Sequence, residues 1–375
     1  MYLNNAATSW PKAPGVAEAV QTALAEPPAD IRRTGACAAD PIEDCRRSVA
    51  RLLGVDDASR IIFTLNATMA LNVAIHGVRL RRGDLVVTSA AEHNSVLRPL
   101  EKLRRERGVE VEIVRLTPDG LPDPEQFHLA LNRGPRLVVL THASNVTGRV
   151  FPVAHWFAKA KRAGAVTLLD ASQSLGHLAV SPAALHADLV AFTGHKGLLG
   201  PTGTGGLYVA PAIVLEQLVV GGTGVRSDLT AHPADMPDRL EAGTHNLSGL
   251  AGLGAALEWL ACHGEQHNRV AAQRADGLRS GLASVAGVAI LDPAEGERLG
   301  IVSFRIAGWD VEEAGIVLND SFGITCRAGL HCAPRIHEWI GSAPAGSLRF
   351  SVSGFNSEDD IAAAVAAVRQ VARCA

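Results

Sequence analysis

The chain has 375 residues, enough for one large or two medium domains with a sizeable core. Its 47% hydrophobic and 19% charged content excludes a disordered chain, and a net charge of -3 gives no electrostatic footprint for nucleic acid or an anionic membrane. No apolar run approaches a membrane span and the N-terminus lacks a signal-peptide layout, so a cytoplasmic protein is expected. The cysteines (Cys37, Cys45, Cys262, Cys326, Cys332, Cys374) are sparse and irregular, which points to reduced thiols rather than a disulfide framework.

From about residue 40 to 210, short β-branched runs alternate with amphipathic helical stretches. Strands are expected at Arg60–Thr64, Leu85–Thr88, Val109–Val114, Leu137–Thr141, Val166–Asp170, Leu189–Thr193 and Gly205–Val209. Helices are expected at Ile42–Leu53, Thr68–His76, Ser95–Glu106, Asp123–Leu131 and Val153–Ala163. This alternation implies an α/β fold with a parallel-rich sheet covered on both faces. Beyond residue 245 comes a long helical stretch (Leu247–His263, then Val270–Val285), followed by strands near Val288–Leu291, Gly300–Ile306, Ile324–Arg327 and Ser347–Val352. Helices at Val311–Leu318 and Glu358–Ala372 complete a smaller α/β domain.

Lys196 is the most informative residue. Only Lys12, Lys102, Lys159 and Lys161 accompany it, and those lie beside proline or in helical stretches where a solvated cation is expected. Lys196 follows an apolar strand and enters a glycine-rich loop, where apolar walls would depress its pKa as a Schiff-base nucleophile requires. Other polar loops also follow strands, at the ends where ligands gather in such sheets. Asn66-Ala67-Thr68 opens a helix and offers free N–H groups to a phosphate, although a plain N-cap is as good a reading of that loop alone. Thr193 and His195 would add donors to the same phosphate. Asp170 ends an apolar strand, and a protonated pyridine nitrogen would be a suitable partner for it. Gln173 and Asn145 could reach a phenolate oxygen, and His93 could stack on a flat ring or merely cap a helix. Together these groups suit pyridoxal 5'-phosphate.

The motifs Asn5-Ala6-Ala7-Thr8-Ser9, Glu92-His93, Ser144-Asn145-Val146-Thr147-Gly148, Asp170-Ala171-Ser172-Gln173, Thr193-Gly194-His195-Lys196, Glu241-Ala242-Gly243-Thr244 and Arg327-Ala328-Gly329-Leu330-His331-Cys332-Ala333 occur in order along the chain. The sequence thereby resembles the class V aminotransferase-fold enzymes, in the cysteine desulfurase and selenocysteine lyase branch. The resemblance implies the pyridoxal-phosphate-dependent transferase fold of type I. It implies a large domain over residues 16–255, with a mostly parallel seven-stranded sheet, and a smaller domain from residues 1–15 and 256–375. Lys196 would carry the cofactor, with Asp170 on the pyridine nitrogen, Gln173 and Asn145 at the ring oxygen and His93 over the ring. Ala67, Thr68, Thr193 and His195 would bind the phosphate, joined by Thr244 from the neighbouring subunit of a homodimer. Arg349 would grip the substrate carboxylate, with Arg327, Asn5, Ala7 and Asn145 beside the substrate. Cys332 would be the nucleophilic thiol, on a loop of the shorter type whose sulfur passes to a partner protein.

The implied reaction is a sulfurtransferase step: L-cysteine becomes L-alanine and a persulfide forms on Cys332. The same fold also hosts selenocysteine lyases, biosynthetic C–S lyases and aminotransferases that would not use Cys332 in this way. A remoter alternative draws Cys326, His331, Cys332 and His337 as zinc ligands in a protein without catalysis, but that spacing matches no familiar zinc pattern and no metal is expected. The chain departs from the family pattern at Asn4, Asn66, Thr193 and Arg32-Arg33-Thr34-Gly35-Ala36-Cys37, and Gly221–Met236 is also unlike it.

Overall fold

A computed structural model describes residues 1–27, 40–291 and 296–374, so the Arg32–Cys37 departure lies outside the described residues. The first sheet has seven strands: β1 (Ile61–Thr64), β2 (Leu85–Ser89), β3 (Glu110–Val114), β4 (Leu137–Thr141), β5 (Val166–Asp170), β6 (Leu189–Thr193) and β7 (Gly205–Val209). Their spatial order is β1-β7-β6-β5-β4-β2-β3, with β7 antiparallel to both neighbours and every other pairing parallel.

Successive residues of the central strands face opposite cores. Val86, Leu137, Val139, Leu168 and Leu189 pack under the helices Ala67–Gly77 and Asn94–Arg107. Val87, Val138, Leu140, Leu169 and Val190 face Cys45, Val49, Phe127, Trp156 and Phe157 of the helices Pro41–Leu53, Pro124–Asn132 and Val153–Arg162. A strand covered on both faces must be apolar throughout, which is why these strands read as unbroken Val/Leu runs. Edge strand β3 is the less buried one: Glu110 is exposed and Val111, Glu112 and Ile113 are half-buried.

The second sheet is antiparallel, in the order β10 (Arg327–Gly329), β11 (Ser347–Ser351), β9 (Ile301–Ile306) and β8 (Val288–Ile290). Helices Val311–Phe322 and Glu358–Arg373 share its core, together with Leu3 from the N-terminus. Asp310 starts the first of these helices with its side chain and Gly323 ends it in the left-handed region; Ser357 and Asp360 form a capping box for the second.

The long helical stretch expected between residues 247 and 285 is one unbroken helix, Leu247–Ala283, of 37 residues. The polar stretch Gly264–Arg269 is the crossing between two cores, not a break. Leu250, Leu253 and Leu257 belong to the large sheet's core, whereas Ala275, Leu278 and Leu282 belong to the small sheet's. At the crossing His267 is buried, accepts the Gly354 amide at 3.2 Å and packs against Trp259 and Phe355. The strand expected at Ile324–Arg327 begins only at Arg327, because Thr325 pairs with Tyr2 and Leu3 of the N-terminal segment. Helices Val16–Ala25 and Pro334–Trp339 were not anticipated.

Candidate active site

The strand ends assemble the site. Thr141, Asp170 and Thr193 are the last residues of β4, β5 and β6, and pairing sets Thr141 opposite Asp170 and Asp170 opposite Ala191. They border a cavity of about 210 Å³ that Lys196, His93, Asn145 and Gln173 also line. The turn carrying Lys196 needs glycine on both sides. A Cβ on Gly197 would sit 2.5 Å from the Leu175 carbonyl oxygen, and one on Gly194 would strike the Thr204 hydroxyl.

Burial above all lowers the Lys196 amine to about 8, with Arg349 and Arg327 pushing the same way against Asp170. Asp170 directs Oδ1 to the Ser172 amide at 2.9 Å and to the Ser172 hydroxyl. Glu92 is wholly enclosed: its Oε1 accepts the Ser89 hydroxyl at 2.6 Å and the Thr141 amide at 3.1 Å, while Oε2 has no partner. Burial, with Asp170 nearby, raises its pKa to about 8, so this carboxyl is mostly neutral at pH 7.

His93 caps the helix Asn94–Arg107, as the plainer reading expected, and lines the cavity. Its Nδ1 accepts the Ser95 amide at 3.0 Å, which places the proton of the neutral ring on Nε2. Burial and then Lys196 lower its pKa to about 4. Next to it Asn66 caps the helix Ala67–Gly77 by accepting the Met69 amide at 3.0 Å. The amides of Ala67 and Thr68 are the first two of that helix, a position that favours an anion. The Thr68 and Ser95 hydroxyls are 2.8 Å apart beside them, and His195 Nδ1 is buried without a partner. A buried amine, a strand-end carboxylate and an orphaned imidazole beside open helix amides form the donor set for an anionic aldehyde with a basic ring.

Arg349 is fully buried, donating from Nη1 to the Asn145 carbonyl at 2.7 Å and from Nη2 to Asn4 Oδ1 at 3.2 Å. Its Nε has no partner, and Arg327, opposite it in the β10–β11 pair, lines the same cavity. Arg327 Nη2 lies 3.0 Å from Cys332 Sγ. The backbone is left-handed at His331 (φ 50°) and Cys332 (φ 58°), an uncommon state for residues with side chains. Two bonds of 2.7 Å hold it, from Asn145 Nδ2 to the His331 carbonyl and from the Asn94 amide to the Cys332 carbonyl. His331 is buried beside Ser347 Oγ at 3.0 Å, and burial followed by Arg349 lowers its pKa to about 2, so it carries no charge at neutral pH.

Comparison with known proteins decides the lineage. The family model described as Aminotransferase class-V matches residues 1–363. A protein of Methanothermobacter thermautotrophicus named "Probable cysteine desulfurase" is 35% identical over 335 residues, 85% of this chain and 81% of the relative. The chain belongs to the class V aminotransferases, in their cysteine desulfurase branch. A cysteine desulfurase of Salmonella agona is 31% identical over 92% of this chain and 85% of its own. The apo structure of a cysteine desulfurase from Thermococcus onnurineus superposes with a TM-score of 0.90 at 29% identity, covering 100% of this chain and 95% of that one.

Within this desulfurase fold, three of the expected residues stand outside the cavity lining: Asn5, Thr244 and Cys332, whose thiol adjoins it through Arg327. Asn5 spends its amide on the Ser351 carbonyl at 2.9 Å and the Trp10 amide at 3.1 Å, and only its neighbours Ala6 and Ala7 reach the wall. Thr244 is exposed on the rim of a separate cavity of about 240 Å³, beside Leu65, Leu218 and Val219. Asn145 lines the cavity, but its amide holds the Cys332 loop. The sequence reading missed Ser95 and Ser172, whose signal is that each stands two residues after a site residue, His93 and Asp170. Among the described residues no three His, Cys, Asp or Glu side chains converge as a metal site; His331 and His337 each bond a serine instead.

Proposed function

We propose that this chain is a pyridoxal 5'-phosphate-dependent cysteine desulfurase, converting L-cysteine to L-alanine, leaving sulfur as a persulfide on Cys332 and passing it to an acceptor protein. The observation that carries the reading is the Cys332 thiol, held on a left-handed turn 3.0 Å from a guanidinium that lines the Lys196 cavity. When bound, the cofactor supplies an aldehyde for Lys196 and a ring that accepts the electron pair left at the substrate's Cα. Asp170 would face the pyridine nitrogen and Gln173 the ring oxygen. Ala67, Thr68, Thr193 and His195 would take the phosphate.

The chain's own groups do the rest. Among the described residues Arg349 has an unpartnered Nε and no carboxylate partner, which suits it to the carboxylate of an amino acid. The Lys196 amine, near 8, is unprotonated often enough at neutral pH to take the Cα proton. Arg327 holds the Cys332 sulfur at 3.0 Å and so orients it beside the cavity. That sulfur bonds to the substrate sulfur as the substrate's C–S bond breaks; the electron pair stays on carbon, and protons from Lys196 and the site complete alanine. Cysteine and the enzyme thiol supply every atom of both products, so no outside oxidant or reductant is needed. His93, with its proton on Nε2, would hold the ring face.

Homodimerisation belongs to the same reading. It is supported by Thr244, which is exposed and remote from its own cavity, and by the exposed apolar Leu65, Leu218, Val219 and Val220 around it. The test is to measure alanine and sulfide formed from L-cysteine by the parent protein and by Cys332→Ala, with mass analysis of residue 332. Added sulfur on Cys332, and at least a hundredfold less sulfide from the variant while cofactor remains bound, is the expected result. Equal turnover by both would remove the desulfurase route and favour a lyase or aminotransferase of this fold.

A further inference from the structure

The N-terminal segment crosses the whole site. Leu3 bonds Thr325, the Ala6 amide donates to Ser351 Oγ at 2.9 Å, and the Ala6 carbonyl accepts Gln173 Nε2 at 3.0 Å. Beyond Ala7 it converges on a single atom, the carbonyl oxygen of His195. That oxygen receives the Ser9 amide at 2.8 Å, the Thr8 hydroxyl at 3.1 Å, the Ser9 hydroxyl at 3.2 Å and Lys12 Nζ at 3.3 Å. A carbonyl oxygen has two lone pairs, so four donors make this the most heavily held carbonyl of the site. Lys12 ties the cluster together, since its ammonium also reaches Thr8 Oγ1 at 3.3 Å and Ser9 Oγ at 3.1 Å. Its three protons are thus spent on three neutral oxygens, and among the described residues it has no carboxylate partner.

We propose that Lys12 is a positioning residue for Lys196: its ammonium latches the N-terminal segment onto the carbonyl of the His195–Lys196 peptide and so fixes the plane from which the Lys196 side chain departs. The inference rests on reading Lys196 as the cofactor-bearing residue. The other side of Lys196 is already fixed, because its carbonyl accepts the Leu199 amide at 2.9 Å and Gly200 bonds back to Gly194 at 2.8 Å. Without the latch, the peptide preceding Lys196 keeps only the neutral donors of Thr8 and Ser9. A cation half-buried without a counter-ion gains little as a stability device, and burial lowers this one to about 8. Its position is better explained by orientation, because a small misplacement of a reacting group costs rate rather than binding.

The test compares Lys12→Met and Lys12→Arg in the full-length protein, with Lys12→Gln taking the place of the methionine variant should that one not fold. In the cofactor-free protein, amide hydrogen exchange across residues 195–199 should accelerate at least tenfold in Lys12→Met while the β4 and β5 amides stay unchanged. With cofactor, kcat for cysteine should fall at least tenfold with KM within about twofold, and Lys12→Arg should recover most of both. Parent-like exchange and kcat in Lys12→Met, or an arginine variant no better than methionine, would overturn the proposal. Failure of the parent protein to take up cofactor at Lys196 would instead strike the reading on which the proposal rests.

Discussion

An amine enclosed by the ends of several strands loses the water that stabilises its charge, and Lys196 shows the consequence in a pKa near 8. The same enclosure acts on Glu92 with the opposite sign. Its folded pKa of about 8 lies above the 4.5 of a free side chain, so the stability it contributes is complete below about pH 4.5 and is lost as pH rises through 8. Glu92→Gln keeps the acceptor for Ser89 and Thr141 without the titration. Its stability relative to the parent is therefore expected to rise by on the order of 2 kcal/mol or more between pH 5 and 8. Urea melts at the two pH values measure this, and a pH-independent difference would contradict a neutral Glu92. The sequence showed Glu92 only as the partner of His93 in a motif, because enclosure on every side is a property of the packed site. Lys12 was read as a solvated cation beside proline for the same reason: its three oxygen partners come from its own turn and from a residue 183 positions away. Lys196, Asp170 and Cys332 were legible because each sits at a strand end or in a motif where the chemistry needs that residue type.

At the scale of elements, the loop bearing Thr244 is anchored by a buried ion pair. Arg46, from the helix Pro41–Leu53, meets Glu241 with Nη1–Oε1 at 2.7 Å and Nη2–Oε2 at 3.1 Å. Glu241 also accepts the Phe63 amide of β1 at 2.6 Å and faces His245 Nε2 at 2.8 Å. Removing one partner leaves the other charge enclosed, so Glu241→Ala should cost about 3–5 kcal/mol. The double variant Arg46→Met with Glu241→Ala should recover much of that loss in thermal unfolding, and strict additivity of the two changes would contradict the pairing. The strands of the large sheet could be read within a residue or two because their burial on both faces writes itself as apolar runs. The long helix Leu247–Ala283 was legible as a helical stretch except across its polar middle, which follows from passing between two cores. Helix Val16–Ala25 buries only Val16 and so leaves no amphipathic stripe to find.

For the whole molecule, the alternating βα order already implied a covered, parallel-rich sheet with its loops gathered at one edge. The sequence order alone could not place β7 between β1 and β6, which depends on pairing across the sheet. The dimer reading makes a prediction at this scale. Thr244→Ala should weaken cofactor retention by about tenfold, the worth of one charge-assisted hydrogen bond. If Thr244 serves the partner's site, subunits carrying Thr244→Ala mixed with subunits carrying Lys196→Ala form hybrids with one intact site, so activity in the mixture exceeds the mean of the two parents. Activity equal to that mean would place Thr244 in its own subunit's site or in none. The central claim is that Lys196 carries the cofactor. Borohydride reduction of the cofactor-loaded protein, followed by peptide mass analysis, is predicted to fix one pyridoxyl phosphate group on the Lys196 peptide; a label on another lysine, or on none, would contradict it.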